Sequence, residues 1–120
     1  MAEKGVNRMT IVGNVGKDPE IRYMENQECV AQFTVATGEY WRDRGTGENK
    51  ESTEWHRIKA FGKLAEIVRD KVKSGDKVFL EAKSRTRKYK IRDAQGNETP
   101  YDGFRQEFVL EGYQCAVQVL

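Results

Sequence analysis

The chain has 120 residues and a formal net charge of +2, with 38% hydrophobic and 33% charged residues. This length is typical of a single domain with one core, and no apolar run approaches the roughly 18 residues that a transmembrane helix needs. The first residues lack the basic-then-apolar pattern of a secretory signal. We therefore expect one domain over residues 1–120, without membrane association and in the cytoplasm.

Alternation of apolar and polar residues dominates the chain and predicts five β-strands. In chain order, the predicted strands cover residues 7–15, 30–40, 53–61, 77–88 and 104–119. Segment 63–73 is the exception, because its apolar residues recur at helical spacing and Gly75 follows where a helix commonly ends. Four aromatic residues fall within the apolar alternation and are expected in the core: Phe33, Phe79, Phe104 and Phe108.

Three strands, one short helix and two further strands are the order expected of an all-β OB-fold, a five-stranded Greek-key barrel with one helix. OB-folds bind oligonucleotides, oligosaccharides or proteins, so the fold alone does not decide the function. The function has to be argued from the residues of the site.

The two cysteines, Cys29 and Cys115, lie far apart in the sequence and in apolar-rich segments. They form no CxxC motif of the kind found in zinc and redox sites. Reduced cysteine in such surroundings behaves as a small buried hydrophobe. We expect both thiols to be reduced and buried, and we expect no metal site and no cofactor.

Aromatic and basic residues occur together in three segments of the chain, at 40–42, 55–63 and 85–90. Proteins that bind single-stranded nucleic acid without sequence preference combine rings that stack on bases with cations that track phosphates. The net charge is too small to indicate nucleic-acid binding by itself. The distribution of charge is more informative, because the segment 83–92 carries six cations and no acid. The alternative is that this basic segment is a solvated strand face.

The third predicted strand carries the clearest pattern. Its alternation places four side chains on one face: Trp55, Arg57, Lys59 and Phe61. A face with cations and large rings suits a nucleic-acid surface better than a core. The alternative, in which Trp55 and Phe61 pack in the barrel and Trp41 lies at an interface, stays open because aromatic residues are most often packing residues.

Six stretches of the chain resemble the bacterial single-stranded DNA-binding protein family. They are GVN at 5–7, VGN at 12–14, GKDPEIRY at 16–23, TEWHR at 53–57, FGKLAE at 61–66 and RTRK at 85–88. The resemblance covers nearly the whole chain. It implies an OB-fold homotetramer that binds and protects single-stranded DNA without sequence preference, during DNA replication, recombination and repair, and that catalyses no reaction.

The resemblance also assigns residues. It places base-stacking side chains at Trp41, Trp55, Phe61 and Tyr89. Tyr89 stands where the family commonly has tryptophan, so we expect a weaker contact there. Basic neighbours are expected to contact phosphate: Arg42, Arg57, Lys59, Lys63, Arg85, Arg87 and Lys88.

His56 is the only histidine in the chain. It has no partner set for catalysis or metal binding, and alternation directs it away from the face of Trp55. The resemblance assigns it to a subunit interface. We expect a structural role for this side chain.

The end of the chain departs from the family. Family members usually continue into a flexible linker with a short acidic tip that recruits partner proteins, whereas this chain ends at Leu120. We therefore expect no tail-mediated partners, as in a phage-borne, plasmid-borne or tail-truncated form.

Three other functions have different sequence requirements. An OB-fold protein-interaction module of a replication complex would be expected to lack several of the stacking aromatics or the basic segment. A nuclease would need clustered acids for magnesium or an activated nucleophile, and the acids here are scattered. Sequence-specific RNA binding through the same rings is distinguished by competition between DNA and RNA.

Overall fold

The computed structural model describes residues 2–120. Its elements are β1 Met9–Val15, β2 Glu20–Tyr23, β3 Cys29–Arg42, β4 Asn49–Phe61, α1 Gly62–Lys71, β5 Lys77–Arg92, β6 Glu98–Leu110 and β7 Ala116–Val119. The predicted helix is confirmed, beginning one residue earlier and ending two residues earlier than expected. Within residues 2–120, no helix combines the length and the apolar character needed to cross a membrane.

The five long strands close into a barrel in the order β1-β3-β4-β6-β5, and β1 also pairs with β5. All of these pairings are antiparallel except that of β4 with β6. This is the predicted OB-fold, a five-stranded Greek-key barrel with one short helix. The closed barrel leaves no free sheet edge among these five strands at the level of the core.

The core lies inside the barrel because alternate residues of each strand point inward. Fully buried side chains from three strands meet there, including Val35, Ile58 and Leu80. The helix covers the same cluster with Ala65 and Val68, its buried residues. Cys29 and Cys115 are buried in this cluster as free thiols, which confirms the prediction for both.

Two strands were not predicted as separate elements. β2 is a four-residue strand that pairs with the start of β3 and has no fully buried side chain. The prediction of one last strand over residues 104–119 is wrong, because the chain turns between Leu110 and Ala116. The second piece, β7, returns to pair with β5.

The hairpins β3–β4 and β5–β6 extend well beyond the barrel. Buried residues end at Val35 in β3 and at Ala82 in β5, while both strands continue as exposed ladders. We call residues 37–54 the β3–β4 arm and residues 85–107 the β5–β6 arm. The long dimension of the molecule, 55 Å, reflects these arms.

Phe104 lies on the β5–β6 arm and is 67% exposed, so its predicted place in the core is wrong. It shares a strand face with Phe108, which is buried. The difference arises because the strand has left the barrel at residue 104, where no second layer covers this face. Phe33 is buried as predicted, and Phe79 is partly buried.

The turn after β1 is tied to the turn after the helix. The backbone N–H of Ser74 donates to Oδ1 of Asp18 at 2.8 Å, and the Ser74 hydroxyl donates to the carbonyl oxygen of Gly16 at 2.5 Å. The backbone N–H of Gly75 also donates to the carbonyl oxygen of Val15 at 2.9 Å. These contacts fix the position of the turn that forms one wall of the site described next.

Candidate nucleic-acid interface

An open groove of about 1200 Å³ runs across the barrel between the turn after β1, the strand β4 and the base of the β5–β6 arm. Its exposed wall on β4 is formed by Trp55, Arg57 and Lys59. The β5–β6 arm contributes Arg87 and Arg105. An open groove of this volume suits an extended polymer better than a small enclosed ligand.

Trp55 is 57% exposed, although it is one of the largest apolar side chains in the protein. It stands on the same face of β4 as Arg57 and Lys59, while Ile58 and Ala60 on the other face are buried. The alternative of Trp55 in the barrel core is therefore wrong for this fold. An exposed indole beside Arg57 on the same strand face is available to stack on a base.

The charge of the groove is mixed. It is lined by five Lys or Arg residues and four Asp or Glu residues. Two of those acids are engaged at the rim, because Asp18 accepts from Ser74 and Glu20 is ion-paired with Arg22 at 2.6 Å. The small excess of positive charge means that we expect stacking to contribute much of the affinity in this groove.

Phe61 and Lys63 lie at the other end of β4, beyond the residues that line the groove. The Phe61 ring is partly buried, and the Nζ atom of Lys59 lies 5.5 Å from its centroid. Lys63 is exposed in the first turn of the helix. A nucleic-acid strand that passed from Trp55 to Phe61 would follow the same face of β4.

Trp41 and Arg42 lie at the end of β3, far out on the β3–β4 arm. The Trp41 side chain is 49% exposed and does not line the groove. The Nε–H of Arg42 donates to the carbonyl oxygen of Gly47 at 3.1 Å, across the turn of this arm. The arm therefore separates this predicted pair from the groove.

The β5–β6 arm divides the basic segment between two faces. Lys88 and Lys90 share one face with Asp102, whose carboxylate oxygens lie 3.3 Å and 3.0 Å from their Nζ atoms. Arg87 and Tyr89 point to the opposite face, which continues into the groove. The six cations of the segment 83–92 therefore do not form one continuous basic surface.

Other cations of this arm are also paired with acids. Arg85 lies 2.5 Å from Glu111, and Arg92 lies 3.6 Å from Glu98. Arg85 and Lys88, both predicted to contact phosphate, are thus each ion-paired in the free protein, and Lys88 shares the single charge of Asp102 with Lys90. To bind a phosphate they would have to exchange a carboxylate for it.

Tyr89 lies flat across the neighbouring strand. It is paired with Gly103, and a methyl group at residue 103 would lie 2.4 Å from Cζ of the Tyr89 ring. Only glycine leaves room for the ring to occupy this position. The guanidinium carbon of Arg105 lies 5.2 Å from the ring centroid, within the range of a cation–π contact. The ring itself remains 39% exposed.

The pKa of Asp102 is held below its usual value by hydrogen bonds from Lys90 and then Lys88, against the opposing effect of desolvation. A lowered folded pKa stabilises the fold at pH values above the unfolded pKa of about 3.9, and this contribution is lost as the pH falls through the folded pKa. We expect Asp102→Asn to lower the urea midpoint at pH 7, with a difference from wild type that disappears in acid. Urea unfolding between pH 7 and pH 2 measures this, and a difference that is constant over that range would contradict it.

His56 lies on the inward face of β4, as alternation predicts. Its Nε2 atom is 2.8 Å from the hydroxyl of Thr37, and its ring centroid is 5.7 Å from that of Phe108. The side chain is partly buried and contributes to the lining of the groove. Its predicted role at a subunit interface stays a prediction.

Two cations that line the groove, Lys17 and Arg105, were missed by the sequence analysis. In the sequence, Arg105 is a lone cation in the segment 93–120, which carries five acids. The register of the β5–β6 hairpin places Arg105 directly opposite Arg87, but this register shifts between Lys90 and Arg92. Counting outward from the turn at 93–97 would have put Gly103 opposite Arg87, so the sequence offered no signal that finds Arg105. Within residues 2–120, no group of three or more His, Cys, Asp or Glu side chains could hold a metal ion.

A closed five-stranded barrel with an open groove lined by an exposed tryptophan and several cations defines an OB-fold of the nucleic-acid-binding kind. The model of the Single-strand binding protein family matches residues 6–102, and the chain belongs to this family. The chain is also similar to a solved structure described as a Plasmodium falciparum SSB complex with ssDNA, with a TM-score of 0.85 and 30% sequence identity. That match covers 100% of this chain and 99% of the other.

Proposed function

We propose that this protein binds and protects single-stranded DNA without sequence preference and without catalysis or a cofactor. The observation that carries the proposal is the exposed Trp55 ring on the wall of the open groove, on the same strand face as Arg57 and Lys59. Every base offers a ring face and every nucleotide a phosphate, so this arrangement does not discriminate between sequences. Membership of the family and the similarity to a protein solved with ssDNA support the same function.

Binding would proceed by stacking and by release of counterions. Bases leave solvent to stack on Trp55, and further along the chain on Trp41, Phe61 and Tyr89. Cations near these rings neutralise phosphates and release bound salt ions, which makes the affinity decrease with salt. A base in a duplex already stacks on its neighbours and is not available to the rings, so the groove favours unpaired strands.

The predicted phosphate contacts differ in how readily they can act. Arg57, Lys59 and Arg87 line the groove, and no ion pair within the described residues involves them. Arg42 and Lys63 lie along the two outer parts of the proposed path. Arg85 and Lys88 would first have to release Glu111 and Asp102. We therefore expect the first three to contribute most to the salt dependence.

The proposal extends to assembly and biological role. We propose a homotetramer in which His56 contributes to a subunit interface and one DNA strand passes over several subunits, because closed symmetric assemblies present the same groove repeatedly. In this form the protein would serve DNA replication, recombination and repair in the bacterial cytoplasm, on host, phage or plasmid DNA. Sedimentation of the free protein measures the oligomeric state.

The test of binding is tryptophan fluorescence during titration with oligothymidine at two salt concentrations, with a duplex of equal length as control. We expect strong quenching by the single strand, weaker at the higher salt and absent with the duplex. An absence of quenching with both would favour an OB-fold protein-interaction module of a replication complex. Competition by oligouridine as effective as that by oligothymidine would instead favour an RNA-binding function.

A further inference from the structure

A second cleft, of about 500 Å³, lies along the β5–β6 arm next to the groove. Arg87 and Arg105 line both cavities, so the two adjoin at this pair of residues. The cleft is lined by four Lys or Arg residues, one glutamate and Tyr89. Its excess of positive charge is therefore larger than that of the groove itself.

Arg87 and Arg105 are directly opposite each other in the antiparallel ladder, on the same face of the arm. Side chains in this relation have Cβ atoms about 4.5–5.5 Å apart, and like charges so placed repel each other. Such a pair lowers stability unless an anion lies between or above the two groups.

The other cations of the β5–β6 arm are ion-paired with acids. Arg85, Lys88, Lys90 and Arg92 each have a carboxylate partner. Within the part of the chain that the structure describes, no ion pair or side-chain hydrogen bond involves Arg87 or Arg105. The two cations without an acid are thus the two that face each other at the junction of the cavities.

We propose that Arg105 binds a backbone phosphate together with Arg87, and so directs the single strand from the groove onto the β5–β6 arm. This inference rests on the proposed function. A planar guanidinium presents parallel N–H donors that match two phosphate oxygens, and two guanidinium groups side by side enclose one phosphate from both sides. The contact of Arg105 with Tyr89 then places the next ring of the path beside this phosphate.

The test compares wild type with Arg105→Gln, Arg105→Lys and the control Arg8→Gln. The Nε atom of Arg8 lies 4.0 Å from Oε2 of Glu81, and Arg8 lines neither cavity. Its variant removes the same charge from the protein without touching the proposed path. The ligand is a labelled oligothymidine of about 16 nucleotides, the upper end of the site size of one OB-fold. Anisotropy titrations between 50 and 200 mM salt give the slope of log K against log salt.

We expect the slope for Arg105→Gln to be smaller than that of wild type by about 0.7, the value for one phosphate contact on a single strand. Between the lowest and the highest salt concentration, Arg105→Gln then loses about 2.6-fold less affinity than wild type does. Arg105→Lys should keep the slope and bind more weakly at every salt concentration, because lysine keeps the charge and lacks the parallel N–H donors of the guanidinium. Arg8→Gln should match wild type.

A slope for Arg105→Gln equal to that of wild type, or a decrease for Arg8→Gln of the same size, would overturn the proposal. Thermal unfolding followed by circular dichroism separates binding from folding. Removing one of two facing like charges should not lower the midpoint, whereas a residue needed only for structure would lower it while leaving the slope unchanged. If wild type itself does not bind oligothymidine, the proposed function fails with it. If wild type binds and the Arg105 variants bind like wild type, only the inference about Arg105 fails and the proposed function stands.

Discussion

Trp55→Ala is expected to weaken the binding of oligothymidine, oligocytidine and oligoadenosine alike, by about 5- to 150-fold. The range follows from the roughly 1–3 kcal/mol that one stacked base contributes. We expect this to be the largest loss from any single side chain in the groove, because positive charges exceed negative ones by only one among its lining residues. Anisotropy of labelled homopolymers measures it without relying on the tryptophan that has been removed.

Two further variants make this result specific. Trp55→Phe keeps a smaller ring at the same position and should recover part of the affinity. Tyr113→Ala removes an aromatic side chain that is 97% exposed, lies between β6 and β7, and lines neither cavity. Its affinity should equal that of wild type. Loss of binding to only one of the three homopolymers, or an equal loss for Tyr113→Ala, would contradict sequence-independent stacking at Trp55.

The barrel could be predicted from the sequence because burial on one face imposes a period of two. Val35, Ile58 and Leu80 all lie in segments where this alternation is regular, and all are fully buried. β2 lacks the signal because it is short and exposed on an edge. The turn at 111–115 was missed because the apolar residues on its two sides continue the same alternation across the turn.

The arms limited the prediction of the site. Alternation identifies the two faces of a strand, but it does not tell where the strand leaves the barrel. Phe104 is on the inward-facing register and yet exposed, since nothing packs over the arm. In the same way, the run of cations in the sequence gave no indication that two of them are ion-paired with Asp102 on the next strand. Pairing between strands decides which charges remain available for DNA.

Trp55 and its neighbours were predictable for a physical reason. A strand face that mixes tryptophan with arginine and lysine cannot be buried without a large cost of desolvation, so it has to face solvent or a charged ligand. Arg105 carried no such local pattern. Its significance depends on its position opposite Arg87, a relation across 18 residues that only the hairpin register defines.

Gly13→Ala is expected to lower the free energy of unfolding by about 1–3 kcal/mol, near the upper end of that range. Gly13 is buried in β1, one residue before the point where this strand is paired with both β5 and β3. A methyl group there would lie 2.2 Å from the carbonyl oxygen of Ala36 and 2.9 Å from Cγ1 of Val35. The first of these atoms belongs to the backbone, so relief requires β1 and β3 to separate where they close the barrel.

Urea unfolding at a fixed protein concentration measures this effect, and the slope of the transition should stay close to that of wild type while the midpoint falls. Gly5→Ala is the matched control, because a methyl group at residue 5 would meet no atom within 4 Å. Its unfolding free energy should remain within about 0.5 kcal/mol of wild type. Equal stability of Gly13→Ala and wild type would mean that β1 and β3 do not approach each other this closely. The barrel would then be open between β1 and β3, next to the turn that carries Gly16 and Asp18.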